Sequence, residues 1–101
     1  TGGVHNAALF SQKGMIVMRT DIGRHNTLDK IYGHCLRHHI PMHDKFIVFS
    51  GRVSSEVLLK ISKIGVGILL SKSAPTHLAL ELADELNVTV VGFIRGNSFN
   101  V

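Results

Sequence analysis

The chain has 101 residues, of which 45% are hydrophobic, and 11 Lys and Arg against 7 Asp and Glu give a formal net charge of +4. This composition excludes a disordered or collagen-like chain and predicts a single globular domain over residues 1–101. The single cysteine, Cys35, excludes an internal disulfide and a cysteine-rich zinc site.

The absence of targeting and membrane signals indicates a cytoplasmic protein. No apolar run in the sequence approaches the ~20 residues of a transmembrane helix, so we expect no membrane partner. The basic residues are not interleaved with aromatic residues, so we expect no nucleic-acid partner. Because the sequence does not begin with methionine, we expect a fragment of a longer protein.

The first half of the chain predicts a β-hairpin followed by an amphipathic helix. Two β-like runs, at 7–11 and 15–19, flank a turn that contains Gly14. From Asn26 to about His39, apolar residues recur at helical spacing. These apolar residues are Leu28, Ile31, Tyr32, Cys35 and Leu36.

The second half predicts alternating strands and helices. One helix follows a capping Ser54 or Ser55 and ends at Gly65 or Gly67, and a further helix lies between Thr76 and about Asn87. The alternation favours an α/β fold with three layers, α/β/α, around a mixed, mainly parallel sheet. The predicted strands are 45–49, 66–70 and 88–94.

Polar clusters occur where loops leave the predicted strands, which is where α/β sheets bind ligands. They lie at 21–30, 50–56, 71–76 and 92–101. In the first cluster, Gly23 and Arg24 stand where a predicted helix begins. In the second, Gly51 and Arg52 precede the next predicted helix. Free N–H groups and the helix dipole at such a place favour a phosphate or carboxylate, which a guanidinium can bind with two hydrogen bonds. A structural interpretation, in which Asn26 and Ser54 only cap helices, stays open at this point.

Histidines near the end of the first helix form a competing signal for a metal site. His34 with His38, and Cys35 with His39, are spaced i,i+4. The two pairs point roughly 100° apart on a helix, which disfavours one tetrahedral zinc site. We therefore predict no metal ligands.

Five segments together resemble a known family. They are TGGVH at 1–5, DIGRHNTLDK at 21–30, SGRVSSE at 50–56, SAPT at 73–76 and GFIRGNSFNV at 92–101. In this order they resemble the C-terminal part of FdhD proteins, the formate dehydrogenase accessory sulfurtransferases. The resemblance implies transfer of sulfur from a cysteine desulfurase, through a protein persulfide, to the molybdenum or tungsten bis-guanine-dinucleotide cofactor before the cofactor enters formate dehydrogenase. It also implies a cytidine-deaminase-like fold, and we expect a homodimer.

The resemblance places the sulfur-carrying cysteines in a CxxC motif that precedes the TGGVH-like segment. This chain has no CxxC motif, so we expect no catalytic residue in it, and sulfurtransferase activity would belong to the full-length protein. Two alternatives stay open. One is a guanine-nucleotide-binding module without chemistry, and the other is a zinc-dependent deaminase or hydrolase relative, in which Thr27 stands where the HxE pattern needs its glutamate.

The resemblance and the loops together predict a site for the guanine-dinucleotide cofactor, or for a GDP-like nucleotide in its place. Arg24 and Arg52 would bind phosphate groups, and Asn26 and Ser54 would complete the phosphate-binding site. Asp29 would accept a hydrogen bond from a guanine edge or brace Lys30. The predicted binding residues are Gly23, Arg24, His25, Asn26, Asp29, Lys30, Ser50, Gly51, Arg52, Ser54, Ser73, Ala74, Arg95, Gly96, Phe99 and Asn100.

Overall fold

The computed structural model describes residues 4–94 and 98–100, in which strands and helices alternate after an initial hairpin. The strands are β1 (His5–Ser11), β2 (Gly14–Asp21), β3 (Phe46–Phe49), β4 (Ile68–Ser71), β5 (Thr89–Ile94) and β6 (Ser98–Asn100). The helices are α1 (Arg24–His38), α2 (Ser55–Ile64) and α3 (His77–Leu86). The predicted order of elements is confirmed, and β6 adds a strand that the sequence pattern did not predict.

The caps predicted for α2 and α3 are confirmed. The Ser54 hydroxyl oxygen accepts a hydrogen bond from the Val57 N–H at 3.3 Å, and the Thr76 hydroxyl oxygen accepts one from the Ala79 N–H at 3.1 Å. All three helices end on a residue in the left-handed region: His39, Gly65 and Asn87.

Helix α1 begins at Arg24 rather than at Asn26. Its N-cap is Gly23, which has no side chain that could accept a hydrogen bond from the N–H groups of the first turn. The alternative in which Asn26 caps the helix is therefore wrong. At the other end, His39 is left-handed with φ 54°, so Cys35 and His39 do not share a helical face.

One six-stranded sheet has the order β2-β1-β3-β4-β5-β6. Strand β3 is parallel to β4, and β4 to β5, whereas β1 is antiparallel to both β2 and β3, and β6 is antiparallel to β5. Three of these five pairings are antiparallel, so the predicted mainly parallel sheet is wrong, while the mixed α/β class is confirmed. The physical reason is that only the two βαβ units supply parallel pairs, and the hairpin and β6 fold back beside them.

All three helices lie on one face of the sheet. Helix α1 contacts β1, β2 and α2, and α2 contacts α3. The two βαβ crossovers advance in the same direction along the sheet, and right-handed crossovers of this kind fall on the same face. The described elements therefore form two layers, and the predicted three-layer arrangement is not confirmed. The core between the layers includes Ala7, Leu9, Ile47, Phe49, Leu69 and Val90 from the sheet and Leu28, Ile31, Val57, Leu58, Ile61, Ala79 and Ala83 from the helices.

Within residues 4–94 and 98–100, none of the helices combines the length and the apolar character that a membrane span needs.

Candidate functional site

The topology brings the predicted polar segments to one edge of the sheet. The carboxyl ends of β3, β4 and β5 lie at this edge. Since β1 is antiparallel to β3 and to β2, the amino end of β1 and the carboxyl end of β2 lie there as well. We call this the carboxyl edge and define it by His5 and the segments 21–26, 50–54 and 71–76. The predicted convergence of the loops is therefore present in the fold.

Hydrogen bonds fix the loops of the carboxyl edge relative to the strands. The Asn6 N–H donates to the Ser50 hydroxyl oxygen at 2.8 Å, and the Ser50 N–H donates to the Asn6 carbonyl oxygen at 3.0 Å. The buried Ser71 hydroxyl lies 2.8 Å from the Ser73 carbonyl oxygen, to which it donates, and accepts from the Ser73 N–H at 3.1 Å. The backbone of two neighbouring loops is thereby held in place by the protein itself.

The first turns of α1 and α2 lie side by side at this edge. Arg24 Nη2 lies 3.6 Å from Glu56 Oε1, and the two side chains are 43% and 72% exposed. Exposed ion pairs of this kind contribute only about 0–1 kcal/mol, so another anion can replace the Glu56 carboxylate at low cost. Arg52 is also exposed and lies in the loop that leads into α2. The arrangement suits a ligand with phosphate groups.

Asp29 and Lys30 form ion pairs with different partners. Asp29 Oδ1 lies 2.9 Å from Lys60 Nζ on α2. Lys30 Nζ lies 2.9 Å from Asp21 Oδ2 and donates to the Thr20 carbonyl oxygen at 3.0 Å. The interpretation that Asp29 braces Lys30 is therefore wrong, because each side chain fastens α1 to another element. A contact of Asp29 with a guanine edge stays a prediction.

Asp21 shapes the turn that leads into α1. Its carboxylate oxygen Oδ1 accepts a hydrogen bond from the Gly23 N–H at 2.9 Å. This hydrogen bond first, and then the contact with Lys30, lower the pKa of Asp21 from the ordinary 3.8 to about 2. The ionised carboxylate thereby holds Gly23 as the N-cap. The N–H groups of the first turn of α1, beginning at Arg24, are then directed toward the carboxyl edge.

His5 lies at the carboxyl edge, although the predicted binding residues did not include it. Its ring stacks on the buried Phe49 ring, with centroids 6.2 Å apart and an interplanar angle of 24°. A Cβ on Gly51 would lie 2.7 Å from Phe49 Cζ and 3.0 Å from His5 Nδ1, so the packing requires glycine there. The register between β1 and β3 was the signal that could have identified His5. Because Ala7 lies opposite Phe49 in this antiparallel pair, His5 comes to lie beside Gly51.

Two histidines of α1, His34 and His38, lie at its other end. The rings of His34 and His38 have centroids 4.3 Å apart, and His34 Nδ1 lies 3.4 Å from Arg19 Nη2. Burial, followed by the charges of His38, Arg19 and Arg37, lowers the pKa of His34. Within the part of the chain that the structure describes, there is no cluster of three or more His, Cys, Asp or Glu that could hold a metal ion.

The structure brings most of the predicted binding residues together. Asp29 and Lys30 lie further along α1. Arg95 and Gly96 lie outside the described residues, and the backbone of Phe99 and Asn100 belongs to β6, beside β5. The predicted residues at the carboxyl edge are Gly23, Arg24, His25, Asn26, Ser50, Gly51, Arg52, Ser54, Ser73 and Ala74.

Comparison with known proteins decides the family. A sequence model described as the FdhD/NarQ family matches residues 1–101. The chain belongs to the FdhD/NarQ family. It is 71% identical to the sulfur carrier protein FdhD of Geobacillus kaustophilus and 65% identical to that of Bacillus subtilis, in each case over all 101 residues, and it spans 38% of the length of these relatives.

The FdhD fold is also found among solved structures. The crystal structure of a formate dehydrogenase accessory protein from Desulfotalea psychrophila matches 97% of this chain with a TM-score of 0.86 and 33% sequence identity, and the match covers 44% of that protein's chain. The resemblance to FdhD proteins noted in the sequence is therefore confirmed. The cytidine-deaminase-like layering that it implied is not confirmed by the match.

The one cysteine of this FdhD-family chain is buried in the fold. Cys35 is 3% exposed and belongs to the hydrophobic core, as its place on the apolar stripe of α1 predicts. Burial is the largest effect on the pKa of the Cys35 thiol and raises it, against a smaller lowering by the charge of Lys45. A protonated, buried thiol is a poor nucleophile, so Cys35 is unsuited to carry sulfur.

Proposed function

We propose that this FdhD-family domain binds the guanine-dinucleotide part of a molybdenum or tungsten cofactor and belongs to a sulfur carrier that serves formate dehydrogenase. The relatives named sulfur carrier protein FdhD and the structural neighbour described as a formate dehydrogenase accessory protein support the sulfur-carrier role. In this proposal, sulfur from a cysteine desulfurase passes through the full-length protein to the cofactor. The domain's own contribution is to bind and orient the cofactor.

The observation that supports the binding role is the convergence of Arg24, Arg52 and the N-termini of α1 and α2 on one edge. The cofactor's phosphates carry the negative charge that helix N-termini and guanidinium groups bind. Glu56 holds the Arg24 guanidinium at this edge until a phosphate replaces the carboxylate. The net charge of +4 favours the approach of an anionic ligand.

Binding without chemistry by this domain is consistent with the side chains at the carboxyl edge. Thr27, at the position where the deaminase pattern needs a glutamate, is fully buried and donates its hydroxyl hydrogen to the Gly23 carbonyl oxygen at 3.0 Å. A hydroxyl held in this way supplies no general acid or base. The described residues therefore favour the cofactor-binding function over the zinc-dependent deaminase or hydrolase alternative.

Calorimetric titration with GDP, ATP and inorganic phosphate tests the proposal, with folding of each protein checked by circular dichroism. We expect GDP to bind, and Arg24→Ala and Arg52→Ala each to weaken binding by roughly 10- to 100-fold, since a charge-assisted hydrogen bond contributes about 1.5–3 kcal/mol. Arg37→Ala is the matched control, because Arg37 lies in the last turn of α1, away from the carboxyl edge. Unchanged binding in both edge variants, or no binding of GDP to the folded protein, would contradict the cofactor site.

The sulfur-carrier part needs a separate test in the full-length protein. Cells that depend on it for formate dehydrogenase activity should lose that activity with Arg24→Ala together with Arg52→Ala and keep it with Arg37→Ala. If the double variant binds no GDP in vitro but supports full activity, the nucleotide site is not needed for sulfur delivery. We further propose a homodimer, which light scattering on the full-length protein measures directly.

A further inference from the structure

The face of the sheet opposite the helices is apolar and is only partly shielded from water. The strand residues that alternate with the core residues point to this side, because side chains alternate across a strand. No described helix lies on it. We call it the open face and define it by Ala8, Phe10, Met15, Met18, Phe46, Val48, Ile68, Leu70 and Val91.

Large apolar side chains on the open face are accessible to water. Met15, Met18 and Ile68 are 58%, 51% and 43% exposed. The rings of Phe10 and Phe46 stack on this face with their centroids 5.3 Å apart. A contiguous apolar surface of this kind, contributed by five neighbouring strands, marks an interaction site rather than a scatter of single exposed residues.

A row of polar groups ends the open face at the carboxyl edge. The Thr20 hydroxyl donates to Asn6 Oδ1 at 2.8 Å, and the Asn6 N–H donates to the Ser50 hydroxyl oxygen at 2.8 Å. Lys72 directly follows β4, the next strand of the sheet, and is adjacent to the buried Ser71. A depression of about 310 Å³ connects this row with the apolar floor, since Asn6, Ser50 and Lys72 line it together with Phe10, Met18 and Val48.

We propose that the open face is the docking surface for the remaining polypeptide of the longer FdhD chain, which covers it with an apolar layer and places a carboxylate opposite Lys72. The relatives support this occupant, because the matched segment is only 38% of the FdhD proteins of Geobacillus kaustophilus and Bacillus subtilis. More than half of such a chain is thus available to pack on the face. The proposal does not depend on the proposed nucleotide site.

The charge on the open face favours this occupant over a second copy of the domain. None of the described strand side chains on this face is an aspartate or glutamate. A two-fold interface presents the same patch from both copies, so it would bring two Lys72 ammonium groups to one interface and supply no carboxylate from the described strands. A lysine that loses water on docking needs an opposite charge as its partner. A different segment of polypeptide can supply that charge.

Thiol labelling in the full-length protein tests whether the face is covered. Met18→Cys lies on the open face, and Leu59→Cys on α2 is the matched control, because the two native side chains are 51% and 53% exposed in this domain. We expect N-ethylmaleimide to label Met18→Cys at least about tenfold more slowly than Leu59→Cys, as read from the labelled peptides by mass spectrometry, since a covered thiol reacts only in locally opened molecules. Equal labelling rates in the folded variants would overturn the proposal.

Carbodiimide cross-linking of the unmodified full-length protein identifies the occupant and does not depend on a variant that folds. The sample is prepared as a mixture of isotopically light and heavy chains, so that cross-links within a chain and cross-links between chains differ in mass. We expect Lys72 to be joined to an aspartate or glutamate outside the 101-residue segment, without isotopic mixing. Mixed-isotope links from Lys72 would assign the face to a second copy, and the absence of any link from Lys72 would overturn the carboxylate partner.

Discussion

The guanidinium of Arg24 lies 3.6 Å from the carboxylate of Glu56, which joins the first turn of α1 to the first turn of α2. The two residues are 32 positions apart in the sequence, and the contact exists because the crossovers place α1 and α2 next to each other on the same face. The carboxylate neutralises one of the two arginines proposed to bind phosphate. Glu56 therefore competes with the ligand of the carboxyl edge.

Glu56→Gln is expected to tighten binding of GDP or inorganic phosphate by about two- to fivefold, the equivalent of an exposed ion pair of about 0.4–1 kcal/mol. The substitution removes a negative charge from the site and leaves the shape of the side chain unchanged. Calorimetric titration measures the effect, and Glu85→Gln, an exposed carboxylate in the last turn of α3, is the control. Weaker binding by Glu56→Gln would mean that Glu56 itself holds the ligand.

Gly51→Ala is expected to destabilise the domain by about 1–3 kcal/mol, because the new methyl group would overpack the site. The methyl carbon would lie 2.7 Å from Cζ of Phe49 and 3.0 Å from His5 Nδ1. The Phe49 ring is fully buried and cannot move away. Urea unfolding followed by circular dichroism measures the loss. Gly67→Ala is the control, because a Cβ there meets nothing within 4 Å. Equal effects of the two substitutions would contradict the close packing of His5 on Phe49 and Gly51.

The elements and their caps were predictable because the signals are local. Ser54 and Thr76 cap helices through their own first turns, and Gly65 ends a helix by its own backbone conformation. The arrangement of layers was not predictable, because it depends on contacts between distant segments. Val48 and Leu70 belong to continuous apolar runs, which are typical of strands covered on both faces. In the described structure one of these faces is open, which is the pattern that the proposed docking surface explains.

The location of the candidate site was predictable from the sequence, but the contacts between its side chains were not. The rule that ligands bind at the carboxyl ends of parallel strands was enough to bring Arg24 and Arg52 to one edge. The partner of Asp29 was not predictable, because Lys60 lies on another helix and the sequence offered Lys30 as a nearer cation. Pairings across helices depend on helix packing, which periodicity does not specify.

Asp21 is expected to make the stability of the domain depend on pH in the acid range. Its pKa is about 2 in the fold against an ordinary 3.8, so the folded state binds fewer protons than the unfolded state between these values. The stabilisation is present above pH about 4 and is lost as the pH falls toward about 2. The difference in free energy of unfolding between wild type and Asp21→Asn should therefore shrink over this range, as urea unfolding at each pH measures.

Lys30→Met distinguishes the two main causes of this effect. It removes the ammonium partner and leaves the hydrogen bond from Gly23, so the pKa of Asp21 should move part of the way back toward 3.8. The stabilisation by Asp21 should then be smaller than in wild type and should be lost completely at a higher pH, because the loss ends near the folded-state pKa. A difference between wild type and Asp21→Asn that stays constant down to pH about 2 would contradict the lowered pKa.

Cys35→Ala is expected to leave sulfur loading of the full-length protein unchanged and to lower the free energy of unfolding by roughly 1 kcal/mol, since it removes one buried atom from the core. Cys35 is 3% exposed, and burial raises the pKa of its thiol, so little thiolate is present to attack a persulfide. Mass spectrometry after incubation with a cysteine desulfurase and cysteine measures the loading, and urea unfolding measures the stability. A persulfide on Cys35 in the native protein, or loss of sulfur loading in a folded Cys35→Ala variant, would contradict a purely structural role for this thiol.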